Sequence, residues 1–277
     1  MSSKKLTNFD RLCVHTVTTK PWSIEQIIEN YPKAGVKAVS VWRDLLANRD
    51  AAKIGEQIRD AGMEIVSLAR GGFFTGRTET EIQASLDDNR RAIDEASALG
   101  APLVILVCGA VPGQLIQRSL AQIQTGLETI LPYAEEHDVK LAIEPLHPMY
   151  ADSRSAICTL KTANDFAERF NSPYIGVAVD VFHLWWDPDL ENECKRCGEH
   201  GNLFAFHICD WKPDMEDMLN DRGLMGEGVI RVREIRSWVE AAGFSGFHEV
   251  EIFSNRLWES DQKELLERIK QAYLEYA

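Results

Sequence analysis

Four side chains able to bind a metal or move a proton close four successive apolar runs in the second half of the chain. They are Glu144 in "KLAIEP", Asp180 in "YIGVAVDVFH", His207 in "LFAFHICD" and Glu251 in "FHEVEIF". Each run is followed by a loop and a helix-like stretch. If the runs are parallel neighbouring strands of a barrel, their ends meet at one rim. Three carboxylates and one imidazole gathered there form a hard site for one divalent metal ion. Mixed oxygen and nitrogen ligation suits Mn²⁺ first, and also Mg²⁺, Co²⁺ or Zn²⁺.

Each residue has a plainer alternative. Glu144 precedes Pro145, which ends its strand; an acid there serves either a metal or a rim salt bridge. Asp180 stands at DxxH spacing from His183 and would also suit a helix cap. His183 fits an outer partner of the metal ligands or a substrate contact. His207 alone would pass for a satisfied core histidine, but four coincident strand ends count against that. The last run offers both Glu249 and Glu251, which share a face because strand side chains repeat every two residues. Glu251 lies nearer the rim and is the better ligand. Glu249 would sit one layer deeper, where it must be paired or neutral.

The elements that must position these groups are legible as an alternation. Strand-like runs fall at 11–15, 36–42, 64–69, 102–108, 139–144, 174–180, 203–208 and 247–253. Helix-like stretches fall near 23–32, 45–61, 79–99, 115–137, 159–170, 188–200, 231–242 and 261–276. Ser23 with Gln26, and Thr78 with Glu81, have capping-box spacing. Asp187 before Pro188 suggests another helix start, and Gly35, Gly62, Gly100 and Gly243 suggest helix ends. Eight βα units without a linker predict an α/β protein, a single-domain (β/α)₈ TIM barrel over residues 1–277. An open doubly wound sheet is the rival.

The net charge of −13 repels phosphate backbones and anionic membranes, so neither a nucleic-acid nor a membrane partner is expected. No apolar run reaches the about 18 residues of a membrane span. The first residues lack the apolar stretch of a signal peptide, so a cytoplasmic location is expected. The six cysteines form no compact framework, and Cys194 and Cys197 make a lone CxxC with no second pair to complete a zinc site.

The segments "LAIEPLHP", "VAVDVFHLWW", "FHICDW", "MGEGVI" and "GFSGFHEVEIF" resemble the xylose isomerase-like TIM barrel family, also called sugar phosphate isomerase/epimerase. Its members include ketose 3-epimerases, inosose isomerases and inosose dehydratases. The resemblance implies that Glu144, Asp180, His207 and Glu251 hold the metal. It also implies that His183 and Arg222 contact substrate, and that Glu144 and Glu251 are the acid and base of proton transfer. The activity implied is isomerisation or epimerisation of a sugar, keto-sugar or cyclitol through an enediolate. A lyase or dehydratase of a keto-inositol or 3-keto-glycoside begins with the same proton abstraction. An apurinic-site endonuclease is disfavoured: strands 3 and 4 end in "SLARGG" and "LVCGA" without histidine, and "DRG" stands where an aspartate-x-histidine pair is expected. A non-catalytic sugar-binding barrel would have little use for an intact ligand set.

Aromatic placement suits a small sugar-like partner. Six of seven tryptophans, Trp22, Trp42, Trp185, Trp186, Trp211 and Trp258, fall in or beside βα loops, and only Trp238 falls within a helix. Rings there stack on sugar faces or cover a subunit contact, so a homo-oligomer is compatible. Phe73 and Phe74 after Gly71 and Gly72 suggest a lid. Trp42, Arg70, His147 and Trp185 are candidate substrate contacts, with Arg43 and His15 beside them. The arginines either bind substrate or pair with carboxylates. No Gly-rich phosphate cradle is evident, so an unphosphorylated ligand is expected.

Overall fold

The computed structural model describes residues 5–277. In chain order its main elements are β1 (Leu12–His15), α1 (Ile24–Lys33), β2 (Ala38–Trp42), α2 (Ala51–Asp60), β3 (Glu64–Gly72), α3 (Glu79–Leu99) and β4 (Leu103–Val107). They continue with α4 (Ile116–Glu136), β5 (Lys140–Glu144), α5 (Leu160–Phe170), β6 (Ile175–Asp180), α6 (Val181–Leu184) and α7 (Leu190–Glu199). The last are β7 (Leu203–Ile208), α8 (Val232–Ala241), β8 (His248–Val250), α9 (Asn255–Trp258) and α10 (Gln262–Tyr276). The eight strands are parallel and pair in chain order, and β8 closes onto β1. The fold is a closed (β/α)₈ barrel, as the alternation predicts; the open sheet is excluded.

Strand alternation divides the residues between two cores. Outward positions such as Leu141, Ile143, Val177, Val179, Phe206 and Ile208 are buried under the helices. Ala142, Ala178 and Ala205 form a separate apolar layer inside the barrel with Leu103 and Ile105. Each of these alanines is two residues before Glu144, Asp180 or His207, so period-2 geometry stacks the functional side chains directly above small ones. Both expected capping boxes form, at Ser23 and Thr78. Gly100 ends α3 with φ of 81°, a backbone state that costs glycine nothing.

Local structure differs from expectation in several places, among them these three. The stretch at 45–61 is a 3₁₀ turn at Arg43–Leu46 and then α2, because Asn48 takes φ of 60° and Asp50 caps the new start. The helix expected at 188–200 is α7, which begins at Leu190, and Asp187 accepts from the Asp189 N–H in a turn instead of capping. β8 ends at Val250, although the Glu251 N–H still donates to the Ile208 carbonyl at 3.2 Å. The residues Cys194 and Cys197 are buried free thiols in α7. Among the described residues, no helix is long and apolar enough to cross a membrane.

Candidate metal centre

Register sets the height of each functional side chain. Asp180 pairs with His207 across β6 and β7, and His207 pairs with Glu249 across β7 and β8. Glu251 is therefore one inward position above Glu249. Glu144 closes β5 opposite Val107 of β4. Glu144, Asp180, His207 and Glu251 each offer one ligand atom, all within 4.8 Å of one another. Their exposures are 4, 0, 0 and 4%, so water does little to screen the three acids.

The donor atoms fit a cation better than they fit each other. His207 Nδ1 lies 2.9 Å from Glu144 Oε1, yet both atoms lack a hydrogen bond of acceptable geometry. His207 Nε2 is also buried without a hydrogen-bond partner. Orphaned buried lone pairs are costly unless something shared satisfies them. Burial would lower the His207 pKa, but the fields of Glu249, Glu144 and Glu251 reverse this and push it up to about 10. That reversal follows from the three acids around the ring. Burial lifts Asp180 to about 7, against Arg222 and with help from Glu251 and Glu144. Burial acts the same way on Glu251, but His15, Arg222 and His207 outweigh it and hold this carboxyl well below the ordinary range. Asp180 also caps α6: its Oδ1 accepts from the Phe182 N–H at 2.7 Å while Oδ2 faces the cluster. The two alternatives for this residue are thus compatible.

Beneath the cluster lies a polar floor. Glu249 is 1% exposed and its Oε2 accepts from Ser40 Oγ at 2.6 Å and Ser67 Oγ at 3.2 Å. His15 Nε2 stands 3.1 Å from the same oxygen, and His15 Nδ1 stands 3.2 Å from Glu251 Oε1. His15 thus ties the floor to the rim and orients Glu251. Burial raises the Glu249 pKa, but His207, His15 and Ser40 bring it below the ordinary value. The deeper acid is paired, one of the two outcomes expected for it. His15 was expected only as a substrate contact, and the serines escaped notice. Their one sequence signal is a small polar residue on the inward phase of an apolar strand, in "AVSVW" and "EIVSLA".

A family model described as xylose isomerase-like TIM barrel matches residues 28–272. The chain belongs to this family. A solved protein of Sinorhizobium meliloti 1021 is 39% identical, with a TM-score of 0.93 over 98% of this chain and 99% of that one. The IolI protein, solved with a bound zinc atom, is 19% identical, with a TM-score of 0.83 over 96% of this chain and 97% of that one. The inosose isomerase of Halalkalibacterium halodurans is 24% identical over 213 residues, spanning 73% of this chain and 71% of the relative.

In this xylose isomerase-like barrel, Glu144 and Glu251 open into a cavity of about 340 Å³ at the C-terminal ends of the strands. Arg222, His183, Trp42 and Arg70 also line it. Arg222 is delivered by the long loop after β7. Asp210 folds that loop by accepting from the N–H groups of Trp211, Gly226, Gly228 and Ile230 at 2.8–2.9 Å. A Cβ on Gly228 would collide with the Trp211 carbonyl, so "MGEGVI" needs its glycine there. The Arg222 N–H then donates to the Phe253 carbonyl at 2.8 Å. Its Nη1 reaches Glu251 Oε2 at 2.9 Å and Asp180 Oδ2 at 3.3 Å. His183 Nδ1 accepts from the His147 N–H at 3.2 Å, and its Nε2 stands 3.3 Å from Arg222 Nη2. Burial and the neighbouring Arg222 charge hold this imidazole neutral, well below its usual pKa.

The structure does not bring two of the expected substrate contacts to this cavity. His147 caps a 3₁₀ turn and packs on Trp211 at 4.8 Å. Trp185 packs on Trp211 at 5.6 Å and lines an outer groove by α7 and α8. Arg43 is bound to Asp88 and Glu95 of α3, at 3.0 and 2.6 Å, so it takes the carboxylate-pairing alternative. Phe74 is fully buried, and only Phe73 is left for the lid expected at that pair.

Proposed function

We propose that this protein is a divalent-metal-dependent isomerase or epimerase of a sugar, keto-sugar or cyclitol, working by proton abstraction next to a carbonyl. One observation carries the reading: three carboxylates and an imidazole offer ligand atoms within 4.8 Å of one another, Glu144 Oε1 and both His207 ring nitrogens lack a hydrogen-bond partner, and Glu144 and Glu251 open into a substrate-sized cavity. Glu144, Asp180, His207 and Glu251 would hold the ion, with Mn²⁺ the best match to their mixed oxygen and nitrogen donors. The bound ion would supply Lewis-acid polarisation of the substrate carbonyl and its neighbouring hydroxyl. The likeness to an inosose isomerase supports a cyclitol or sugar as substrate.

The protein's own groups then manage protons and position. Glu251 is kept ionised by His15 and Arg222, which suits a carboxylate that takes a proton. Glu144 is the complementary group, returning a proton to the planar intermediate. Arg222 and neutral His183 bind substrate hydroxyls beside them, and Trp42 and Phe253 offer ring faces at the entrance. The test is exchange of the substrate C–H with solvent deuterium in the Mn²⁺-loaded protein, using keto-inositols and ketohexoses. Exchange is expected on any substrate that is converted. Conversion without exchange would overturn proton abstraction and favour hydride transfer.

A further inference from the structure

The cavity has a second chemical character at its lip. Lys20, Arg70 and Arg154 line it from the segments after β1, at the end of β3 and after β5. Among the described residues, none of the three has a carboxylate partner. All three nevertheless face one cavity, in a chain with 43 acids for 30 lysines and arginines. By contrast, Arg43 holds Asp88 and Glu95, and Arg196 holds Asp165, Glu168 and Glu193.

The lip cations are held by rings instead. Lys20 Nζ sits 4.4 Å from the Trp258 ring centre, Arg70 Cζ 4.3 Å from Phe73, and Arg154 Cζ 5.7 Å from Tyr150. An aromatic face steadies a cation without neutralising it, so its donors stay free for a ligand. Arg70 and Arg154 are half-buried and have lost part of their water. Burial, then the charges of Arg154 and Arg43, make the protonated form of Arg70 less favourable than usual. An incoming anion would offset the repulsion from Arg154 and Arg43 and compensate the guanidinium for its lost water.

We infer that Lys20, Arg70 and Arg154 form an anion subsite that receives the carboxylate or phosphate of an acidic sugar or cyclitol whose reacting carbons lie at the Glu144–Glu251 end. The inference rests on the metal-dependent reading above and narrows its substrate class to anionic molecules. Guanidinium forks suit both carboxylate and phosphate, and neither needs a Gly-rich loop. The cavity is thus polarised, with an anionic floor for a cation and a cationic lip for the substrate's charged end.

The test is calorimetric titration of the Mn²⁺-loaded protein with D-glucose, D-glucuronate and D-glucose 6-phosphate, which share one ring. At least one anionic member is expected to bind about tenfold or more tightly than glucose, the scale of one charge-assisted hydrogen bond. A preference for glucuronate identifies a carboxylate subsite, and one for glucose 6-phosphate a phosphate subsite. The advantage should be lost in Arg70→Gln and Arg154→Gln, kept in Arg154→Lys, and reduced by salt. Glucose binding as tightly as both anions, no binding by any of the three, or an advantage that survives both glutamine variants would overturn the subsite. Mn²⁺ affinity is measured on the same samples, and the sugar series is repeated on metal-free protein. Normal Mn²⁺ binding without anion preference sinks the subsite alone. Absent Mn²⁺ binding sinks the metal-dependent reading, while the metal-free series still decides the subsite.

Discussion

The two halves of the barrel solve opposite electrostatic problems. Strands β5–β8 bury acids and an imidazole within reach of one point, and Arg222 from the loop after β7 pairs with two of the acids. Strands β1–β4 contribute neutral Ser40 and Ser67 and the bridging His15 inside, and place uncancelled cations on aromatic rings at the lip. Buried charge is tolerable only when paired, and in the late half the pairing is incomplete by design of the register. In the early half the inward polar groups are small and complete their bonds on Glu249. The contrast shows where a barrel can keep reactivity: beside a floor that is already satisfied.

The sharpest way to break this contrast is to neutralise a late-half carboxylate. Glu144→Gln or Glu251→Gln keeps the size and removes the base, so turnover at saturating Mn²⁺ should fall at least about 10²-fold. A steady-state assay on a converted keto-sugar checks it, and unchanged turnover would refute the acid–base assignment. His207→Ala should next weaken Mn²⁺ binding by more than about tenfold, since even an outer partner of a ligand costs that much. Circular dichroism should show the barrel intact. Full affinity in this variant would remove His207 from the ligand set.

The pH dependence follows from protons that must leave before a cation binds. Asp180 at about 7 and His207 at about 10 both hold a proton longer than usual. Metal affinity should therefore rise with pH from 6 to 9 and be steepest below about 7, where both groups compete. Calorimetry in buffers of different ionisation heat counts the protons released; none released would contradict the buried negative field. The early half should respond differently. Ser40→Ala removes a hydrogen bond to the Glu249 carboxylate and should cost about 1.5–3 kcal/mol in urea unfolding. Its Mn²⁺ affinity should stay near that of wild type, because Ser40 touches the floor and not the four ligands. The smallest effect is expected outside both halves: Thr78→Ala loses the α3 cap, about 1 kcal/mol, with no change in binding.

Much of this was legible before any coordinates. Glu144, Asp180, His207 and Glu251 stand out because an ionisable residue at the end of an apolar run has no packing reason to be there. The eightfold alternation and both capping boxes are also local, written within a few neighbouring residues. Misplaced features were local too, but undecidable locally. His147 and Trp185 lie in the right loops, yet a loop residue can face the cavity or the outer wall, and only its packing partner Trp211 decides.

The sequence by itself determined the fold class, the order of the strands' functional ends and which residue types converge, because side-chain period and turn chemistry act over short distances. Tertiary structure alone decided the pairing that makes those ends a centre. Closing β8 onto β1 joins His15 to Glu249 across 234 positions, and Ser40 and Ser67 reach the same oxygen across 209 and 182. It also seats Arg222 between Asp180 and Glu251 and leaves Lys20, Arg70 and Arg154 without acids. Charges cancel according to distance in space, and barrel closure sets that distance independently of separation along the chain.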